Sequence, residues 1–149
     1  LVGVAKGFRE RVDLGLADEM PHLLAVQPKG CAPIVEAHDA GADRINPTTH
    51  PDTITGELEI PDPAGGELAL RALSQHDGSA VAVGDPELQE GAVAATSTTG
   101  LEVGLAGGAA AAAAWERAGN LAGPVILLNP NSGSKTSDVL RSHLIGQGK

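Results

Sequence analysis

The chain has 149 residues and a formal charge of −9, from 19 acidic and 10 basic side chains. That length supports one domain with its own core, and that charge argues against nucleic acid and anionic membrane as principal partners, because phosphates are repelled. Aromatic residues make up only 1% of it, so core volume has to come from Ala, Val, Leu and Ile, and small side chains bring backbones close together.

Val2 to Leu16 reads as an amphipathic helix, with Val4, Phe8, Val12 and Leu16 at steps of four. The sequence opens on Leu1 inside that pattern, and truncation is the expectation. The apolar run His22 to Gln27, bounded by Pro21 and Pro28, is short enough to be a buried strand of a parallel sheet. Cys31 to Ala40 follows as a helix with Pro33 in its first turn, and Asp43 to Pro51 as a loop. Asp52 to Ile60 is short and mixed. A helix from Gly66 to Gln75 presents Leu68, Ala69, Ala72 and Leu73 on its apolar face, and Ser79 to Val83 alternates toward a strand. Asp85-Pro86-Glu87 is a helix start, with Asp85 as N-cap and Pro86 at the first helical position, and that helix runs to Ser97.

Gly107 and Gly108 lead into six alanines, Ala109 to Ala114, and on to Trp115, Glu116 and Arg117. Ala is the best helix former, and a face without bulk admits a close neighbour, so this is a buried packing helix. Val125 to Leu128 is a continuous apolar strand, Asn129 to Lys135 a polar glycine-containing loop, and Thr136 to Ile145 a last helix. Short strands separated by helices predict an α/β fold, a three-layer parallel sheet with helices on both faces. No run of 18 apolar residues is present, so no membrane span is expected. The single cysteine, Cys31, excludes an internal disulfide, fits a reducing, cytoplasmic compartment, and is expected in the core as a small apolar residue.

The segment Asn129-Pro-Asn-Ser-Gly-Ser-Lys-Thr136 follows a strand and precedes a helix, where open α/β sheets bind ligands. Its backbone amides could hold an anion. It lacks the glycine spacing of a nucleotide phosphate loop, and Ser132 and Ser134 around Gly133 lack the Gly-x-Ser-x-Gly order of a nucleophile elbow. His22, His38, His50, His76 and His143 form no i, i+4 pair, which argues against a metal site. Asp52, Glu57, Glu59 and Asp62 read as a solvated charged face. The residues alone describe a parallel α/β domain with a ligand-facing end.

Four stretches, in order, resemble the C-terminal half of threonine synthases of the archaeal and bacterial type, pyridoxal-phosphate (PLP) enzymes of fold-type II. The first is Val4-Ala-Lys-Gly-Phe-Arg-Glu10 with Leu14-Gly-Leu16 and Leu24-Ala-Val-Gln-Pro-Lys-Gly-Cys-Ala-Pro-Ile-Val35. The second is Asp52-Thr-Ile-Thr-Gly-Glu-Leu-Glu-Ile60 with Pro63 and Ala69-Leu-Arg-Ala72. The third is Gly100-Leu-Glu-Val-Gly-Leu-Ala-Gly-Gly108, and the fourth Leu127-Leu-Asn-Pro-Asn-Ser-Gly-Ser-Lys-Thr136.

The resemblance implies a PLP-dependent carbon–oxygen lyase that converts O-phosphohomoserine and water to threonine and phosphate, often as a homodimer. Residues 1–149 then form a single partial domain, the C-terminal half of such an enzyme, which meets its amino-acid substrate through the other half. In the family a Schiff-base lysine lies in the N-terminal half, and a glycine-rich loop for the cofactor phosphate lies just before the helix that opens this chain. None of Lys6, Lys29, Lys135 and Lys149 stands in a matching context, so none is assigned that role, and the chain alone is expected to be inactive and prone to associate.

The positions matching the family's cofactor-facing segments are Thr53, Thr55, Gly104, Pro130, Asn131 and Ser132. Several depart from its pattern. Pro130 stands where a hydroxyl residue faces the pyridine nitrogen, and proline has neither hydroxyl nor backbone donor. Asn131 replaces the following glycine, Gly104 a glutamate beside the ring, Leu105 a threonine, and Thr55 the alanine of Thr-Ile-Ala. A shifted alignment that lets Asn129 or Ser132 face the nitrogen would restore one contact. Two other readings stay open beside threonine synthase: a divergent non-catalytic paralogue kept for binding or assembly, and another PLP lyase such as a serine/threonine dehydratase or a cysteate synthase.

Overall fold

The computed structural model describes residues 1–120 and 123–146. Val2–Asp13 forms helix α1, Leu24–Pro28 strand β1, Pro33–Asp39 helix α2, Gly66–Gln75 helix α3 and Ser79–Val83 strand β2. Asp85–Thr99 forms α4, Leu105–Glu116 α5 and Ser137–Gly146 α6, with 3-10 turns at Ala118–Asn120 and Gly133–Thr136.

Helix α1 ends three residues before the expected Leu16. Gly15 adopts a φ of 67°, while the Gly15 and Leu16 amides donate back to the Val12 and Arg11 carbonyls at 2.9 and 2.8 Å. That double bond pattern is a Schellman motif, which turns the chain off the helix axis at the one residue without a left-handed penalty. Strand β1 starts two residues later than the apolar run suggests and ends one later, at Pro28. The proline is tolerated there because the next amide, Lys29 N, donates to Val83 O at 2.8 Å. Alternate residues of a parallel ladder face opposite edges, so the Pro28 nitrogen lies on the free edge where no donor is required. Gln27 then orients α2: its side-chain oxygen accepts from the Ile34 and Val35 amides at 2.9 and 3.1 Å, two of the orphan donors of the first turn.

The two strands pair in parallel, from Leu24 opposite Ser79 to Pro28 opposite Val83. Their side chains alternate between two cores. Ala25 and Ala80 pack with Ala5 of α1, Val35 of α2, and Ala72 and Leu73 of α3. Leu24, Val26, Val81 and Val83 pack with Leu88 of α4 and with Leu105, Ala109 and Ala113 of α5. Helices therefore cover both faces of a parallel sheet, the three-layer α/β arrangement that the sequence predicts.

Four details differ from expectation. In α3 it is Leu70, 4% exposed, that completes the buried face, while Leu68 is 49% exposed. Helix α5 starts at Leu105, so Gly107 and Gly108 lie inside it and not ahead of it. The N-cap of α4 is Gly84, and Asp85 is the first helical residue. Val125 to Leu128 is irregular, with Ile126 77% exposed, and the sheet of the described residues has two strands. An apolar run becomes a strand only where a ladder partner lies beside it, and none of the described residues supplies one there.

Close approach replaces bulk where α4 meets α5. A Cβ built on Gly91 would lie 2.3 Å from Gly108 O, and one on Gly108 would lie 2.2 Å from Leu88 O. The two glycines thus put backbone against backbone, the packing that a core of small residues requires.

Cys31 is wholly buried, as expected, and burial pushes its thiol pKa up. The thiolate is the reactive species. Native protein at neutral pH should therefore resist a thiol reagent such as 5,5′-dithiobis(2-nitrobenzoate), with one equivalent reacting once urea unfolds the chain; rapid labelling of the native protein would contradict this burial.

Candidate functional site

The loop 52–55 is tied to the end of β1 and to the start of α4. Gly30 O accepts from Asp52 N at 3.0 Å, and a Cβ on Gly30 would lie 1.6 Å from Asp52 O, so only glycine fits. The Asp85 carboxylate accepts from Thr53 Oγ1 at 2.7 Å and from Ile54 N at 3.0 Å. Asp85 therefore does not cap its own helix. It spends both carboxylate oxygens on the neighbouring loop, while its negative charge still stands favourably at a helix N-terminus. Thr53 Oγ1 in turn accepts from Thr55 N at 3.4 Å. Thr55 is fully buried, and among the described residues its hydroxyl has no hydrogen-bond partner.

Asp85→Ala should remove two bonds to a charged acceptor and cost about 1–2 kcal/mol. Hydrogen exchange at the Ile54 amide should accelerate at the same time. Unchanged Ile54 protection would show that the loop is held by something else.

A second cluster forms where the segment 129–136 folds over the start of α5. Gly104, the N-cap of that helix, donates its amide to Asn131 O at 3.2 Å and Asn129 Oδ1 at 3.3 Å. Asn129 Nδ2 donates to Glu102 O at 3.3 Å, Ser132 Oγ donates to Glu102 Oε2 at 2.6 Å, and Val103 and Ser132 form an antiparallel bridge. Ser132 Oγ also accepts from Ser134 N at 3.2 Å and so caps the 3-10 turn. The two clusters are joined by one side-chain contact, Asn131 Nδ2 donating to Glu57 Oε1.

Of the six candidate positions, Gly104 and Asn131 meet directly and Ser132 joins them through Glu102 and Val103, with Pro130 between the two asparagines on the exposed side. Thr53 and Thr55 belong to the first cluster and connect through the Glu57 link. The side chains that organise both clusters, Asp85, Glu57, Glu102 and Asn129, were not singled out as such by the sequence. Glu57 is exposed, as expected of a solvated acidic face, and its carboxylate also accepts from Asn131, a contact for which its only sequence signal is its place three residues beyond Ile54.

Space in the second cluster is already filled. A Cβ on Gly104 would lie 2.3 Å from Asn131 Oδ1, and one on Gly107 would lie 2.3 Å from Asn129 Oδ1. Among the described residues no lysine joins the clusters: Lys6 pairs with Glu10 on α1, and Lys135 is exposed beside Ser134. Lys29 lies beyond β1 in a separate cleft of about 250 Å³, along β2, which also holds Glu87 and Glu116. Lys149 lies outside the described residues.

Residues 1–130 match the model of a family described as pyridoxal-phosphate dependent enzyme. Threonine synthase of Methanosarcina acetivorans is 35% identical over 88 residues, 59% of this chain and 22% of that protein. Threonine synthase of Methanocaldococcus jannaschii is 39% identical over 85 residues, 57% of this chain and 21% of that protein. The Mycobacterium tuberculosis enzyme of the same name is 35% identical over 83 residues, 56% of this chain and 21% of that protein. The matched stretch thus spans about a fifth of the length of these relatives. Among solved structures, a T.th. threonine deaminase superimposes with a TM-score of 0.62 at 18% identity, over 80% of this chain and 41% of that one, a likeness of fold. No helix among the described residues is long and apolar enough to cross a membrane.

Proposed function

The chain belongs to the pyridoxal-phosphate dependent enzyme family, and from that premise we propose that it is the cofactor-facing C-terminal part of a threonine-synthase-like lyase. The whole enzyme would convert O-phosphohomoserine and water to threonine and phosphate. When bound, PLP supplies an electron sink for carbanion chemistry. The observation that carries the reading is the hydrogen-bonded gathering of Gly104, Asn131 and Ser132, joined through Glu57 to the Thr53 loop, at the positions that the threonine-synthase resemblance marks.

These residues do not complete a cofactor site by themselves. The polar groups are hydroxyls, amides and accepting carboxylates without an amine, Pro130 offers no donor, and the Cβ spaces at Gly104 and Gly107 hold asparagine side chains. The lysine and the phosphate cradle therefore come from parts of the whole enzyme other than these segments. The chain's own contribution is positional: Asp85 holds Thr53 and Ile54, and Glu102 holds Asn129 and Ser132.

The same filled spaces favour a second reading, a non-catalytic paralogue in which the asparagines have closed the ring-facing side. A dehydratase acting on serine or threonine is the third. Phosphate release from O-phosphohomoserine and oxoacid formation from threonine, assayed with added PLP, separate the three. On the first reading the native polypeptide from its source releases phosphate, while the isolated 149-residue chain does not exceed PLP alone. Oxoacid formation without phosphate release points to the dehydratase, and neither activity in the native polypeptide points to the paralogue. Self-association in a cytoplasmic setting belongs to the first reading, supported by the exposed run Val125 to Leu128; a concentration-independent monomer in sedimentation would count against it.

A further inference from the structure

We propose that the cleft between α1 and α3 is a binding site for a small phosphate-bearing anion. It has a volume of about 240 Å³ and is lined by Lys6 and Arg9 from α1, Arg71 and His76 from α3 and its C-cap, and Val2 and Leu68. It shares no residue with the two clusters described above, and the inference does not rest on the proposed activity.

Charge is the first ground. The chain carries ten Lys and Arg against nineteen acids, so carboxylate partners are abundant, yet three of the ten face this one cleft. Among the described residues neither Arg9 nor Arg71 has a carboxylate within ion-pair distance, and Lys6 alone is paired, with Glu10. The acids nearest in sequence on the same helices are that Glu10 and Glu67, and Arg71 reaches Glu67 only through its backbone carbonyl, from Nε at 3.4 Å. The terminal nitrogens of both guanidinium groups remain for a ligand. Glu10 pairs with Lys6 and also feels Arg9, so one carboxylate offsets part of the positive charge around this concavity, and an oxyanion between the two guanidinium groups would relieve the repulsion that is left.

Geometry and size are the second and third grounds. Planar guanidinium forks match phosphate oxygens two at a time, and an ammonium adds a point charge, a donor set suited to a tetrahedral dianion. The cleft is smaller than the roughly 300–1,000 Å³ of pockets for drug-sized ligands, which favours phosphate or a small phosphomonoester over a nucleotide. Val2 and Leu68, 36% and 49% exposed, give it an apolar wall against which a short carbon chain can lie.

The test titrates the 149-residue chain with inorganic phosphate at constant ionic strength held by chloride, following backbone amides and arginine Nε–H signals by NMR. Saturable shifts confined to α1 and α3 are expected, with Kd of about 1 mM or tighter. Arg9→Gln and Arg71→Gln should each weaken binding by about tenfold; both side chains are exposed, and unchanged thermal melting checks that the variants fold. Butyl phosphate supplies the second arm: tighter binding than inorganic phosphate assigns the site to phosphomonoesters, and equal binding assigns it to free phosphate. Shifts that never saturate, or a Kd unchanged in the double variant, overturn the proposal.

Discussion

Gly108→Val unfolds the chain. The new Cβ would lie 2.2 Å from Leu88 O and 2.8 Å from both the Cβ and the amide nitrogen of Ala92. Two of these three obstacles are backbone atoms of α4, which no rotamer change can move. The helices would have to separate, and this pair carries the core of Leu88, Leu105, Ala109 and Ala113 on one face of the sheet. Overpacking a well-filled core costs about 1–3 kcal/mol and more where backbone must shift, against a total stability of about 5–15 kcal/mol. With two strands among the described residues and a core dominated by alanine, this chain stands at the low end of such a range. Urea titration followed by circular dichroism should show the midpoint falling by more than half or no cooperative transition at all. Ala110→Val, on the half-buried face of the same helix, is the control and should retain the transition. Comparable transitions for the two variants would mean that α4 and α5 can part without cost, contrary to this crossing.

The same contrast explains what was legible in the sequence. The alanine run announced a helix packed at close range, because composition alone shows that bulk is lacking, and the helical period of α3 and the alternation of β2 gave their bounds directly. The partner of the alanine helix was not legible: Gly91 sits in α4 with no local signal and acquires its role only through Gly108. Asp85 misled for a related reason. Asp-Pro-Glu has the composition of a helix start, and a helix does start there, but the carboxylate is recruited by Thr53 and Ile54 from 32 and 31 residues away, which no local pattern records. Val125 to Leu128 failed as a strand because pairing is a property of two segments, and its apolar run describes one. The candidate site follows the same rule. Resemblance marked Gly104, Asn131 and Ser132, yet the filling of the Gly104 and Gly107 spaces by Asn131 and Asn129 arises only when the 129–131 segment folds over the start of α5, which no local pattern records.

Gly30→Ala should detach the Thr53 loop while leaving most of the fold in place. A methyl group at Gly30 would overlap Asp52, its position lying 1.6 Å from the carbonyl oxygen and 2.5 Å from the carbonyl carbon. Gly30 itself is held between β1 and α2, where Lys29 N bonds to Val83 O and Cys31 N to Pro28 O, so the loop is the part that yields. Its retreat breaks the Asp52 N to Gly30 O bond of 3.0 Å and pulls Thr53 and Ile54 off Asp85, whose bonds to them are 2.7 and 3.0 Å long. Three hydrogen bonds at about 0.5–1.5 kcal/mol each, the charged ones at the upper end, set the loss at about 2–3 kcal/mol. The expected signature is local: exchange protection vanishes at Asp52 and Ile54 but persists at Val81 and Val83 in β2, whose amides face β1. Because Asp85→Ala releases the same loop, the two substitutions share one consequence, and neighbouring effects of that kind do not add. In the Gly30→Ala background Asp85→Ala should therefore cost almost nothing beyond a few tenths of a kcal/mol. Full additivity of the two changes would mean that Gly30 and Asp85 hold different structures, and the Thr53 loop would then no longer be a single unit clamped between the end of β1 and the start of α4.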